Sequence, residues 1–127
     1  MREIKFMAWH KEKKILREVF EISFSGGYVI LAGFGSFGEI EAPIRDVELM
    51  QYAGLKDKNG IEIYEGDVVS FKSAHSDYDY KTIGEVVWYR GEAAFLVECD
   101  GEIFKHFDEI REIEVLGNIY KTPELLQ

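Results

Sequence analysis

Each of the three histidines has an acidic side chain close by in the sequence, which is the pairing that general bases and metal ligands use. The pairs are His10 with Glu12, His75 with Asp77, and His106 with Asp108. The histidines lie far apart along the chain, with no His-x-His or Glu-x-x-His spacing. No serine stands in a nucleophile elbow either. We therefore expect three surface histidines, with no catalytic residue, no metal site and no cofactor.

The single cysteine, Cys99, is the only candidate for thiol chemistry. Strand alternation places it on the same face as Phe95 and Val97, and a buried cysteine behaves as a small hydrophobe. No cationic residue flanks Cys99 to stabilise a thiolate. The pattern predicts that Cys99 belongs to the core.

A polar loop contains Asp77 and Asp79, interleaved with Tyr78 and Tyr80. A calcium loop of the EF-hand type also needs a central glycine and a distant bidentate glutamate, which this segment lacks. Tyrosine supplies contact area at a low entropic cost. The loop is therefore predicted to be a protein-binding surface.

Residues 33–38 read Gly-Phe-Gly-Ser-Phe-Gly, which has the glycine content of a phosphate-binding loop. No Lys-Ser or Lys-Thr pair follows it, and Glu39 and Glu41 would repel a phosphate. We predict instead a flexible loop whose two phenylalanines fold inward or contact a partner subunit.

The composition narrows the class of protein. The chain has 127 residues, 46% of them hydrophobic, which fits one domain or two small lobes with a core. Its formal charge of −9 disfavours binding to nucleic acid, because that binding depends on neutralising phosphates. We expect a cytoplasmic protein, since one cysteine suits a reducing compartment and no signal peptide or membrane-spanning run is present.

Period-two alternation over residues 2–9 predicts a half-buried first strand. Further strands are predicted at 19–25 and 28–32, around a Ser25-Gly26-Gly27 turn. Pro43 marks 40–47 as an edge strand or connector, and 47–52 fits a strand or one helical turn.

The second half of the chain has five short predicted strands separated by tight turns, at 68–71, 82–89, 93–99, 102–107 and 113–116. A small closed barrel suits such strands, because closure removes exposed sheet edges. The Glu65-Gly66-Asp67 turn before the first of them resembles the start of an SH3-type barrel. We therefore predict a mainly β fold with little helix. An N-terminal β-lobe (1–53) and a linker or turn (54–61) precede an SH3-type barrel with a C-terminal tail (62–127).

Four segments resemble the YopX family of phage and prophage proteins of Gram-positive bacteria, and they span nearly the whole chain. They are residues 1–9, 50–60, 62–68 and 113–126, which include MQYAGLKDKNG, EIYEGDV and IEVLGNIY. The resemblance implies an SH3-type C-terminal domain, a phage or prophage origin and a homo-oligomer. It implies no biochemical activity.

The matching segments supply most of the candidate interface residues. Their glycines and aspartates also have a purely structural explanation, since they suit turns and bond nearby backbone amides. Tyr78 and Tyr80 are added from the polar loop. The candidates are Gln51, Tyr52, Gly54, Leu55, Asp57, Gly60, Tyr64, Gly66, Asp67, Tyr78, Tyr80, Gly117 and Asn118.

The expected function is that of a non-catalytic, oligomeric protein-interaction module that binds a host or phage protein. The alternative is an acidic inhibitor that presents carboxylates in place of DNA phosphates to a host DNA-binding protein. Binding of nucleic acid by the barrel and an enzymatic role rank below both.

Overall fold

The computed structural model describes residues 2–36, 38–75, 80–101 and 103–126. These described residues form eleven β-strands. They are β1 (Phe6–His10), β2 (Ile15–Ser23), β3 (Tyr28–Leu31), β4 (Ile40–Pro43), β5 (Val47–Lys56), β6 (Glu62–Tyr64), β7 (Asp67–Ser73), β8 (Thr82–Tyr89), β9 (Ala94–Cys99), β10 (Ile103–Lys105) and β11 (Ile110–Asn118). Three short 3₁₀ helices cover Ile44–Asp46, Phe107–Glu109 and Pro123–Leu126. The prediction of a mainly β fold with little helix is confirmed.

The chain forms two compact units, Met1–Tyr52 and Ala53–Gln127, and their boundary falls within β5. Residues 54–61, predicted as a linker or turn, comprise the last three residues of β5 and the tight turn that leads to β6.

The N-terminal unit is an antiparallel sheet in the order β4-β3-β2-β1-β5. Its core consists of small and branched aliphatic side chains that alternate inward along the strands: Ala8, Val29, Leu31, Ala42 and Val47. Pro43 lies on the edge strand β4, where its missing N–H leaves no ladder bond unmade. Residues 47–52, which fitted a strand or a helical turn, are strand.

The C-terminal unit contains a five-stranded antiparallel sheet in the order β10-β9-β8-β7-β11. The last strand of the chain, β11, pairs with β7, the first strand of this sheet, as a small barrel requires. However, β10 and β11 remain the two edges of the described sheet. The predicted barrel closure is therefore not observed.

Close packing in this unit explains one glycine in a strand. A Cβ at Gly84 would approach the Glu98 carbonyl oxygen to 2.7 Å, so β8 and β9 can pair there only without a side chain. The inward-facing core is Ile63, Val69, Phe71, Val86, Val97, Cys99 and Ile110. Cys99 is buried there, as predicted.

Candidate functional site

Asp57 organises the turn between β5 and β6. One carboxylate oxygen, Oδ1, accepts hydrogen bonds from the backbone N–H groups of Asn59 at 2.8 Å and Ile61 at 2.9 Å. The other oxygen, Oδ2, accepts from the Val115 N–H at 2.9 Å. The side chain is only 7% exposed. Asp57 thus ties the turn to β11, which lies more than fifty residues further along the chain.

The charge of Asp57 is stabilised by its surroundings. Burial alone would raise the pKa of this carboxyl. The hydrogen bonds from the Val115, Ile61 and Asn59 amides, together with the nearby Lys58 ammonium, outweigh that effect and lower the pKa below its usual value. Asp57 is therefore an ionised structural group with its acceptors already engaged.

Asp67, at the start of β7, is the second buried carboxyl among the candidate residues. Its Oδ2 accepts a hydrogen bond from the Tyr64 N–H at 2.8 Å, which closes the turn between β6 and β7. Burial raises the pKa of Asp67 to about 7, the negative charge of Asp57 adds to the rise, and the Tyr64 amide opposes it. A single amide donor compensates burial less well than the three that serve Asp57.

Asn118 joins the end of β11 to the same region. It stands opposite Asp67 in the β7–β11 ladder and is 4% exposed. Its Oδ1 accepts hydrogen bonds from the Tyr120 and Lys121 N–H groups at 2.9 and 2.7 Å. The Ile119 N–H donates to the Gly66 carbonyl oxygen at 2.9 Å, so the chain segments around 66 and 118 are directly joined.

The structure thus brings together Asp57, Gly60, Tyr64, Gly66, Asp67, Gly117 and Asn118 within the C-terminal unit. Gly66, with φ of 90°, occupies the turn position that only glycine adopts without strain. In the N-terminal unit Tyr52 is buried and Gln51 is half-buried, while Gly54 and Leu55 lie exposed in the C-terminal part of β5. The buried polar side chains among these residues accept hydrogen bonds from backbone amides, which favours a structural role for most of the candidates.

The polar loop between β7 and β8 is described only in part, and Tyr78 lies outside the described residues. Tyr80 is 65% exposed. It lines a cavity of about 770 Å³ together with Thr82, Ile83, Glu85, Glu98, Asp100, Leu125 and Leu126 among others. We call the rim of this cavity, made of the exposed Tyr80, Ile83 and Leu126 and the half-buried Glu85 and Glu98, the Tyr80 surface.

Two glutamates give the Tyr80 surface an unusual charge arrangement. Glu85 and Glu98 stand directly opposite each other on β8 and β9, a placement that costs free energy because like charges repel. Burial raises the pKa of Glu85, and the charges of Glu98 and Glu65 raise it further. The two carboxyls therefore lie close together at this part of the surface, and the exposed Lys81 lines the same cavity.

The histidine predictions are partly wrong. His10 is buried, at 4% exposure, because its Nδ1 accepts the Lys13 N–H at 3.1 Å inside the turn between β1 and β2. His75 is exposed, as predicted, but its neighbour Asp77 lies outside the described residues.

His106 is exposed, yet it is held by two glutamates rather than by the adjacent Asp108. Nδ1 lies 2.7 Å from Glu109 and Nε2 lies 2.9 Å from Glu92. The hydrogen bond with Glu109 has the largest effect on the pKa of His106 and raises it, and the hydrogen bond with Glu92 raises it further. No pattern of neighbouring residues points to Glu92, because only the folded chain brings the turn between β8 and β9 close to His106.

Cys99 is unsuited to nucleophilic chemistry. Burial raises the pKa of its thiol, and the charge of Asp100 adds to that rise, so the reactive thiolate is disfavoured. Among the described residues, no group of three His, Cys, Asp or Glu side chains is placed to hold a metal ion. Likewise, no helix in the described part of the chain is both long enough and apolar enough to cross a membrane.

Comparisons with known proteins agree on the fold. The family model described as YopX protein matches residues 5–127. The chain is similar to the crystal structure of protein EF1440 from Enterococcus faecalis, with 25% identity, a TM-score of 0.63 and 100% of each chain covered. It is also similar in fold to protein yopX from Bacillus subtilis, with 20% identity, a TM-score of 0.60, and 100% of this chain and 98% of that chain covered. No curated protein matches it.

Proposed function

Because the chain belongs to the YopX family, we propose that it is a phage or prophage accessory protein of the bacterial cytoplasm. In this proposal it is a non-catalytic, oligomeric module that binds a host or phage protein. The observation that carries the proposal is the Tyr80 surface, where an exposed tyrosine and apolar side chains border a cavity of about 770 Å³. Tyrosine and apolar contacts are typical of protein-binding sites.

The engagement of the buried ionisable groups supports a non-catalytic role. Backbone N–H groups donate hydrogen bonds to the side chains of Asp57, Asp67 and His10, so the acceptor atoms of these side chains stabilise turns. A general base needs its lone pair free to reach a substrate proton. The ionisable groups buried in this chain are therefore better matched to stability than to catalysis.

A pull-down from host lysate with the tagged protein, with and without nuclease, tests the proposal. We expect one protein to be recovered whether or not nuclease is added. Affinity for that protein should fall at least tenfold in Tyr80→Ala, since truncating an aromatic hot spot costs about 2 kcal/mol or more, and about 1.4 kcal/mol is tenfold.

Phe24→Ala is the matched control, because Phe24 is also an exposed aromatic, at 81%, but belongs to the N-terminal unit. Its affinity should stay within twofold of the wild type. Equal effects of Tyr80→Ala and Phe24→Ala, or recovery that depends on intact nucleic acid, would contradict the proposal.

The second candidate is an acidic inhibitor of a DNA-binding protein, and the opposed Glu85 and Glu98 carboxylates favour it. Carboxylates that replace phosphates attract their partner mainly through exposed charge, which salt screens. This candidate predicts that affinity falls steeply between 50 and 300 mM salt and that Glu85→Gln with Glu98→Gln weakens binding. Binding that is insensitive to salt would exclude the inhibitor and leave the interaction module in place.

A further inference from the structure

The N-terminal unit contains a cavity of its own, between the start of β2 and the loop that joins β3 to β4. Its volume is about 440 Å³, which lies within the range of roughly 300–1,000 Å³ typical of sites for small ligands. Its lining consists of Lys13, Ile15, Arg17, Gly33, Phe34, Gly38 and Ile40. We call it the Arg17 cavity.

Arg17 occupies an inward-facing position of β2. It stands opposite Ala8 of β1, which is fully buried and whose small side chain leaves room for the arginine stem. Nη1 donates a hydrogen bond to the Leu16 carbonyl oxygen at 2.9 Å. The guanidinium carbon lies 5.4 Å from the centre of the Phe34 ring, within cation–π distance. The guanidinium is thus held in place at the cavity wall.

One donor of Arg17 is unsatisfied. Nε is buried and has no hydrogen-bond partner within the described part of the chain. Buried donors without partners are rare in native proteins, so the Arg17 guanidinium has more donor capacity than the described part of the chain uses. A guanidinium carries five N–H donors in a planar fork that matches a carboxylate.

The charge of the cavity runs against that of the whole chain. The formal charge of the protein is −9, yet among the described residues the lining includes two cations and no acidic side chain. Glu39 and Glu41, which would repel an anion, are exposed and do not belong to this lining. Two other cations of the same unit are paired with acids: Lys5 with Glu3 at 3.2 Å and Lys11 with Glu48 at 3.6 Å. The remaining lining offers the apolar side chains of Ile15, Phe34 and Ile40.

We propose that the Arg17 cavity binds a carboxylate attached to an apolar chain or ring. The carboxylate pairs with Arg17 and Lys13, and the apolar body packs on Ile15, Phe34 and Ile40. Such a ligand is either a small organic acid or an acidic residue beside an apolar one in a peptide. The inference uses none of the residues of the Tyr80 surface, so the two proposals can fail separately.

The test is an NMR titration of the backbone amides of the full chain with probes matched in size. Octanoate is compared with octylammonium and octanol, which have the same apolar chain but a positive charge or none. The peptide Ac-Ile-Glu-Phe-NH₂ is compared with Ac-Ile-Gln-Phe-NH₂. We expect saturable shifts at Gly33, Phe34 and Gly38 for at least one carboxylate probe, at least tenfold tighter than for its matched control.

Which carboxylate probe binds identifies the source of the ligand: octanoate alone indicates a small acid, and the glutamate peptide alone indicates a protein segment. Arg17→Met should weaken that binding at least tenfold. Arg45→Met is the matched control, because Arg45 is an exposed arginine of the same unit that does not line the cavity, and it should change affinity less than twofold.

The discrimination between octanoate and octylammonium is read in the wild type, so the test stands even if Arg17→Met does not fold. Absence of saturable shifts with both carboxylate probes would overturn the proposal. Equal affinity for the carboxylate probes and for their matched controls would overturn it as well.

Discussion

At the scale of single residues, the buried carboxylates of Asp57 and Asp67 hold the turns before and after β6 in place. Asp57 accepts more of these hydrogen bonds than Asp67 does. It accepts from three backbone N–H groups, at 2.8, 2.9 and 2.9 Å. In Asp57→Asn an NH₂ group replaces one acceptor oxygen and faces an amide donor. We expect a loss of about 2–4 kcal/mol in the free energy of unfolding, measured by urea denaturation.

Asp108→Asn is the control for this prediction, because Asp108 is exposed. It should change stability by less than about 0.5 kcal/mol. Equal stability of the Asp57→Asn and Asp108→Asn proteins would show that the Asp57 bonds contribute nothing net.

Asp67 should make stability depend on pH between pH 5 and pH 8. Its pKa is about 7 in the folded chain against 3.8 for an ordinary Asp, so the native state binds the proton more tightly than the unfolded state. The protonated carboxyl therefore contributes stability at low pH, and this contribution is lost as pH rises toward 7. From pH 5 to pH 8 the loss is about 3 kcal/mol, at about 1.4 kcal/mol per pKa unit.

The variant Asp67→Asn stays neutral and should lack this loss, which unfolding free energies at pH 5 and pH 8 would reveal. His106, whose pKa is also raised, loses stability in the same direction in both proteins, so it cancels in the comparison. Asp57, whose pKa is lowered, contributes its pH dependence at more acidic pH. An identical pH dependence in the wild type and Asp67→Asn would refute the assignment.

At the scale of secondary-structure elements, the join between β11 and the C-terminal 3₁₀ helix depends on a missing side chain. A Cβ at Gly117 would overlap the Thr122 hydroxyl and approach Leu125 Cδ1 to 3.0 Å. That hydroxyl accepts the Asn118 N–H at 3.0 Å, so it cannot move without breaking a bond. Gly117→Ala should destabilise the protein by about 1–3 kcal/mol, seen as a lower Tm.

Two further variants separate a steric cause from a general effect of losing glycine. Gly38→Ala should be nearly neutral, because a Cβ at Gly38 meets no atom within 4 Å. Adding Thr122→Ala to Gly117→Ala removes the overlapping hydroxyl, so the double variant should lose less than the sum of the two single losses. Strict additivity would indicate that Thr122 is not the obstacle.

At the scale of the whole molecule, the N-terminal unit exposes apolar side chains that a second copy could cover. Ile4 is 63% exposed, Phe20 54% and Phe34 71%. Together with the family resemblance, this leads us to expect a homo-oligomer at micromolar concentration, as measured by sedimentation velocity. A monomer across 1–100 μM would contradict the oligomeric part of the proposed function and leave the Tyr80 surface untouched.

The sequence by itself determined several of the strands and turns. Period-two alternation depends only on neighbouring residues, and it predicted β1, β3, β8 and β9 to within a few residues. Glycine and Asn-Gly signals predicted the turns for the same local reason. The alternation of Phe95, Val97 and Cys99 was also sufficient to predict that the cysteine is buried.

Tertiary structure alone decided which of these residues meet. The bond from Val115 to Asp57, the Glu92 partner of His106 and the Glu85–Glu98 opposition all join residues separated by at least thirteen positions. His10 is buried where β1 pairs with the distant strand β5, opposite Val47, and Arg17 contacts Phe34, which lies in the loop after β3. Sheet order and register create these contacts, and a pattern of neighbouring residues carries no information about which distant strand will pair with it.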